Sequence, residues 1–308
     1  MASLVEGLGT KNIVAQKWYE LTGDVSGFAS VSKDTIAMIV NDLITVGALP
    51  EVIGMYFGVG ASEWMNDEKR AEAIINGWLE GCNLSGAIWG PGETPSLKNI
   101  IAPEYPDMAG YSYGEIQRAN YLHGGKIKDG DQIIIVRSSG IHANGLTAAR
   151  KVADMLPHGY KTELSNGMYY GEALLRPTHN YVEVMRKIQD RGIPIHYAVN
   201  VTGHGWRKAM RANGDFRYTF NSVPEIDPVF DIIQKTLGLS IQEMYADFNM
   251  GAGFLIYTPE NSACLVLNAC LSSHIFAFIA GEISADEKKN VVIKPLGITF
   301  SAEELDIR

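Results

Sequence analysis

An aspartate set into an apolar helical repeat constrains this chain more than any other feature. Ile36, Ile39, Val40, Leu43 and Val46 recur at helical spacing, and Asn41-Asp42 interrupts them with an adjacent amide and carboxylate. Ser32-Lys33-Asp34 reads as the start of this helix, with Ser32 as N-cap and Asp34 in the favoured first turn; Gly47 and Pro50 stop it. Asp42 lies beside Met38, Ile39 and Val46, which predicts half-burial. Aspartate is a poor helix former, and a buried carboxylate is costly unless paired. Asp42 therefore needs a partner: a bound cation, a Lys or Arg side chain, or a neighbouring backbone donor.

The rest of the chain is that of a globular protein. Its 308 residues suggest about two domains, long enough to bury substantial cores. A net charge of -9 and a pI near 5.3 argue against binding nucleic acid or a membrane surface, either of which draws its affinity from basic patches. Phosphorylated small molecules stay possible, since they need only a few local donors. Cys82, Cys264 and Cys270 are odd in number and lack metal or redox spacing, which predicts buried, reduced thiols and a cytoplasmic location. Residues 1–6 show no basic region followed by an apolar core, so no signal peptide is expected. The charge-free stretch 264–281 is broken by Asn268, Ser272, Ser273 and His274, and suits a short buried helix followed by a strand better than a membrane span.

Strands and helices alternate without the strict rhythm of a doubly wound sheet. Strands are expected over 51–60, 109–116, 132–136 and 252–257. Helices are expected over 67–86, 146–156, 177–191 and 240–248, the last with a Ser240/Glu243 capping box. The pattern implies an α/β (α+β) protein made of two sandwiches, each a sheet covered by helices. The turn Lys128-Asp129-Gly130-Asp131 is the best boundary, giving domains 1–127 and 128–308.

Glycine clusters with polar residues recur at the junctions: 6–11, 90–94, 138–145, 202–205 and 249–253. The third follows a buried strand and precedes a helix, so its amides would face an anion or simply form a tight turn. Residues 202–205 precede Arg207 and Lys208, which again suits a phosphate. His142 sits in a glycine loop and is a candidate catalytic or ligand residue. No Walker A loop, dinucleotide fingerprint, His-Glu-x-x-His motif or serine hydrolase elbow is present.

Taken in order, these segments resemble the phosphoribosylformylglycinamidine cyclo-ligase (aminoimidazole ribonucleotide synthetase) family. The matching stretches are Gly7-Leu8-Gly9-Thr10-Lys11, Val40-Asn41-Asp42-Leu43, Gly92-Glu93-Thr94, Asp107-Met108-Ala109-Gly110, 138–145, Leu174-Leu175-Arg176-Pro177-Thr178, Thr202-Gly203, and Glu243-Met244-Tyr245 through Asn249 to Gly253. The resemblance implies a purine-biosynthesis ligase that uses ATP and Mg²⁺ to close the ring of a phosphorylated ribonucleotide. The wider superfamily leaves two other readings: a small-molecule kinase type, or a non-catalytic nucleotide-binding relative.

By the same resemblance, Asp42 and Glu6 would hold the metal, a set that suits Mg²⁺ with its preference for one or two carboxylates plus phosphate oxygens. Gly7, Gly9, Thr10, Lys11, Asn41 and Asp107 would support the nucleotide. Ser139, Gly140, His142 and Asn144 would meet the substrate phosphate or reacting centre, with Thr202, Gly203 and Asn249 helping. Glu93 would orient a ribose or a metal. The family's homodimer packs its N-terminal sheets into a barrel. Departures from the family pattern are Glu6 for an aspartate, an inserted Pro91, Asn200 for a histidine, and His204 at a glycine position. The match begins at residue 6, so a shortened N-terminus, lacking the family's Gly-rich segment, is expected.

Overall fold

In the computed structural model, which describes residues 1–305, the chain lays down two sheets in succession. The first consists of β1 (Ala2–Gly7), β2 (Leu49–Val59), β3 (Ile88–Trp89) and β4 (Pro106–Glu115), ordered β1-β4-β2-β3. β4 is antiparallel to both β1 and β2 and reads buried-exposed in alternation, as a strand with one covered face should. Helices α1 (Lys11–Thr22), α2 (Ser26–Leu43) and α3 (Glu68–Ser85) cover that face. Phe28, Val31, Ile36 and Val40 of α2 and Trp78 of α3 join Ile53, Phe57 and Met108 in the core. α2 and α3 approach closely at Gly77, where an added Cβ would lie 2.4 Å from the Ala29 carbonyl oxygen. The opposite sheet face carries exposed Val5 and Tyr113.

Among the described residues the second sheet has seven strands: β5 (Gln132–Arg137), β6 (Tyr197–Asn200), β7 (Phe216–Phe220), β8 (Ala252–Thr258), β9 (Ala277–Ala285), β10 (Asn290–Ile293) and β11 (Ile298–Ser301). Their order is β11-β10-β7-β9-β5-β8-β6. β8 is buried along its whole length, and Ile133 to Val136 of β5 are fully buried beside it. Around this sheet lie α4 (Leu146–Met155), α5 (Tyr170–Leu175), α6 (Val182–Asp190), α7 (Pro228–Leu237), α8 (Ile241–Asp247) and α9 (Ala263–Ser272). Among the described residues no helix is long and apolar enough to cross a membrane.

The structure corrects the sequence reading at three places. α2 begins at Ser26, so Ser32 is not its N-cap: the Ser32 hydroxyl donates back to the Phe28 carbonyl within the helix. The helix expected from Pro177 begins only at Val182. The amides of Thr178 and Tyr181 donate instead to Asp34 Oδ1 and Asn41 Oδ1 across the junction between the halves, which holds residues 177–181 out of helix. Cys82 and Cys270 are buried as expected, whereas Cys264 is exposed on α9.

Candidate active site

The two halves meet along a seam of buried polar side chains. Lys11, the first residue of α1, has no solvent exposure; its ammonium meets Asp34 Oδ2 at 2.7 Å, the Arg176 carbonyl at 2.9 Å and the His142 carbonyl at 3.1 Å. Three donors thus find three acceptors. Asp34 accepts from the amide and hydroxyl of Thr178 on its other oxygen. Asn41 donates to the His179 carbonyl (2.7 Å) and accepts from the Tyr181 amide (2.9 Å). Burial lowers the Lys11 pKa, and Asp34 opposes the shift.

Beside this seam opens a cleft of about 590 Å³. The first half contributes Glu6 from the end of β1 and Met38 and Asp42 from α2. The second contributes Asn144 from the glycine loop after β5, Thr202 to His204 after β6, and Lys208 and Arg211 from the turn that follows. Glu6 has a raised pKa, chiefly through burial and then through the nearby Asp42 charge, with Lys208 pulling the other way. The Lys208 pKa is lowered by burial, against the attraction of Asp42 and Glu6. Asn200 donates to Asp42 Oδ1 at 2.7 Å, and its own carbonyl accepts from the Lys208 ammonium at 3.3 Å. Lys208 also donates to the Thr202 hydroxyl. Asn144 Oδ1 accepts from the Gly203 amide at 3.2 Å, tying one loop to the other. His204 is left-handed (φ 73°), so the residue at the family's glycine position keeps a glycine-like backbone and stands exposed at the rim.

One wall of the cleft is therefore acidic and the other basic. Among the described residues no three metal-ligating side chains cluster. Two carboxylates suffice for Mg²⁺, which keeps several waters and takes further oxygens from phosphate. The donor set of Glu6 and Asp42 therefore fits that ion.

Of the residues singled out from sequence, Glu6, Asp42, Asn144, Thr202 and Gly203 line this cleft. Gly7, Gly9 and Thr10 form the turn from β1 into α1, with Gly9 left-handed at φ 75°. Lys11 and Asn41 lie in the seam and are fully used there. His142 is inside the protein, with 2 % exposure; its Nε2 accepts from the Ser139 amide at 3.1 Å, so the ring proton sits on Nδ1. Burial, and next the neighbouring His179, Lys11 and Arg176, push its pKa well below the usual histidine value. Ser139 donates to the Pro177 carbonyl and borders a different groove, of about 690 Å³, beside α3. Gly140 (φ 144°) packs under the Arg176 guanidinium, where a Cβ would meet it at 2.7 Å. Asn249 is buried and braces the glycine loop by donating to the Gly140 and Ile141 carbonyls. Glu93 and Asp107 are exposed on the first sheet, away from the cleft lining.

Three residues at the site were not anticipated. Arg211 replaces Arg207 as the second cation: Arg207 is bound to the Ala246 and Glu304 carbonyls. The signal was present, because Lys208 and Arg211 are three apart and so share a face of a 3₁₀ turn. Asn200 stands out in sequence only as a departure from a family histidine and Asp34 only as a first-turn residue; their roles come from their partners in the other half, Asp42 and Thr178.

Comparison with known proteins gives this geometry a family. Residues 5–116 match the family model "AIR synthase related protein, N-terminal domain", and residues 128–294 match "AIR synthase related protein, C-terminal domain". The phosphoribosylformylglycinamidine cyclo-ligase of Methanococcus vannielii is 34% identical over 283 residues, covering 90% of this chain and 76% of the relative. That of Carboxydothermus hydrogenoformans is 32% identical over 306 residues, covering 95% and 83%. The hydrogenase maturation protein HypE of E. coli superposes with a TM-score of 0.64 at 16% identity over 90% of this chain and 80% of its own. Thiamine monophosphate kinase of Aquifex aeolicus gives 0.60 at 16% identity, over 96% and 88%. At such identity the last two share the fold alone. With both halves matched by their family models, and relatives about a third identical along most of its length, this chain belongs to the AIR synthase related protein family.

Proposed function

We propose that this chain is a cyclo-ligase that closes formylglycinamidine ribonucleotide to aminoimidazole ribonucleotide at the expense of ATP. ATP transfers its terminal phosphoryl group to the amide oxygen of the substrate, leaving ADP. The amidine nitrogen then attacks that carbon, the ring closes, and the oxygen departs with inorganic phosphate. The observation that carries this reading is the two-signed cleft in a chain whose relatives bear the cyclo-ligase name: Glu6 and Asp42 face Lys208 and Arg211. Phosphoryl transfer is catalysed mainly by positioning and charge neutralisation, and that pairing of charges supplies both. Mg²⁺ held by Asp42 and Glu6 would neutralise phosphate charge, and Asn200 would keep the Asp42 carboxylate turned toward it.

Several finer parts belong to the same reading. The first 127 residues carry the nucleotide and the dimer contact, and residues 128–308 form the second domain. Two copies pair through the bare face of the first sheet, where Val5 is 72% exposed; an apolar face of that kind is a contact surface. The protein works in the cytoplasm. Lys11, Asn41, His142 and Asn249 shape the site by holding its loops. Thr202, Gly203 and Asn144 meet the substrate.

The test is turnover. The purified chain is incubated with Mg-ATP and formylglycinamidine ribonucleotide, and ADP and the aminoimidazole product are followed together. Equal amounts of both support the cyclo-ligase. ADP without the imidazole would replace this reading with a kinase-type relative. Neither product from a folded protein would leave a binding protein.

A further inference from the structure

We propose that Lys208 makes metal binding and phosphate binding in the cleft depend on each other: it balances Glu6 and Asp42 when no metal is present and holds a phosphate oxygen once a divalent cation has taken its place. This inference rests on the nucleotide-binding reading of the cleft and assigns a role to one further residue in it.

The argument starts from position. Lys208 is only 8% exposed, yet its side chain lines the same cleft as Glu6, Asp42 and Arg211. A lysine so buried needs compensating negative charge. Its direct acceptors, the Asn200 carbonyl and the Thr202 hydroxyl, are both neutral. Among the described residues, the carboxylates lining the cleft are Glu6 and Asp42. Asn200 links the two walls, since its amide holds Asp42 and its carbonyl holds Lys208.

A charge count then decides the coupling. Among the described residues, Glu6 and Asp42 are matched in charge by Lys208 and Arg211. A divalent cation entering alone leaves two uncompensated positive charges and is repelled by Lys208. A cation entering with a polyphosphate brings the anion that Lys208 and Arg211 lack. Lysine suits this exchange because its ammonium is a point charge on a flexible stem and can move from one acceptor to another. A pair of ligands coupled in this way raise each other's affinity by the same factor.

The test uses Mn²⁺ as the spectroscopic probe, bound to the full-length chain with and without ATP, in wild type, Lys208→Gln and Lys208→Arg. Electron paramagnetic resonance counts free Mn²⁺, and calorimetry follows ATP at fixed Mn²⁺. In Lys208→Gln, Mn²⁺ alone is expected to bind roughly three- to tenfold more tightly, because a repelling charge is gone. ATP with Mn²⁺ is expected to bind roughly ten- to a hundredfold more weakly, because a charge-assisted bond to phosphate is lost. Lys208→Arg is expected to keep most of the ATP affinity, which a purely packing role for Lys208 would not predict. Opposite signs for the two ligands in Lys208→Gln are the signature. Weakening of both, or an unchanged ATP affinity, overturns the proposal. If wild type itself binds no ATP with Mn²⁺, the nucleotide-site reading fails and this inference with it. If wild type binds and Lys208→Gln binds equally, the inference alone fails.

Discussion

The buried pair of Lys11 and Asp34 offers the sharpest test of how the two halves are joined. Family resemblance would have the Lys11 ammonium serve a nucleotide, whereas the structure closes it inside the seam with three acceptors and no solvent. Lys11→Met keeps the stem's length and apolar contacts, but leaves the Asp34 carboxylate buried without its cation. Breaking a buried ion pair from one side costs about 3–5 kcal/mol, because the remaining charge is uncompensated. Asp34→Asn is expected to cost somewhat less, since an amide oxygen can still accept from Thr178. In the double variant Lys11→Met/Asp34→Asn neither charge remains, so the losses should fall short of their sum by about 2 kcal/mol. Guanidinium unfolding followed by tryptophan fluorescence is the assay, because Trp18 and Trp206 are buried in different halves and report on both. A Lys11→Met cost below about 1 kcal/mol is the range of an exposed pair and would refute the closed seam. Such a result joined to a large loss of nucleotide affinity would return Lys11 to the cleft.

Three other outcomes are expected. Asp42→Asn should lower divalent-metal affinity at least about tenfold while leaving the melting temperature nearly unchanged, because the amide can still pair with Asn200; unaltered turnover and nucleotide affinity would contradict the metal assignment. His142 is a base with a depressed pKa in the folded protein, so the unfolded chain binds a proton that the native state refuses. Its contribution to stability is whole above the ordinary value of 6.5 and shrinks by about 1.4 kcal/mol per pH unit below it until the native pKa is reached. His142→Asn, which tolerates the left-handed backbone (φ 62°), should lose less stability than wild type between pH 7 and pH 5 in urea titrations; parallel losses would argue against a neutral buried ring. Val5→Glu should convert a dimer into a monomer by light scattering at micromolar concentration, and a wild-type monomer would exclude the sheet-to-sheet contact.

What could be read from sequence divides along a physical line. Elements whose own residues set their boundaries were legible. α3 was expected over 67–86 and spans Glu68–Ser85, capped by the Asp67 side chain and by left-handed Gly86. The Ser240/Glu243 capping box stands as expected at the start of α8. Elements whose boundaries depend on the other half were not legible. Residues 177–181 have the pattern of a helix, but their amides are claimed by Asp34 and Asn41, which lie more than 130 positions away. β10 and β11 are four-residue strands at one end of the second sheet, with too few residues for alternation to declare itself. At the site, Asp42 was legible because a carboxylate in an apolar helix needs a partner. The division of labour around it was not, since Lys11 and Lys208 look alike in sequence and only the fold puts one in the seam and the other in the cleft.

The seam and the cleft are mechanically one arrangement. Lys11 holds the His142 carbonyl, and His142 in turn accepts from Ser139, so the start of the glycine loop is fastened to α1. Asn249 fastens the same loop from below through the Gly140 and Ile141 carbonyls. Asn144, two residues beyond His142, then has little freedom, and its side chain fixes the Gly203 amide on the basic wall of the cleft. The acidic wall is fixed from the same helix that carries Asp34, since Asp42 lies two turns farther along α2. Hydrophobic packing is non-directional and tolerates sliding, whereas these bonds have defined lengths and directions. Each buried polar group in the seam would be costly if left unpaired, so the halves have one favourable registration rather than many. A two-signed cleft needs that registration, because moving one wall by a few ångströms would separate the Glu6 and Asp42 carboxylates from the cations that balance them.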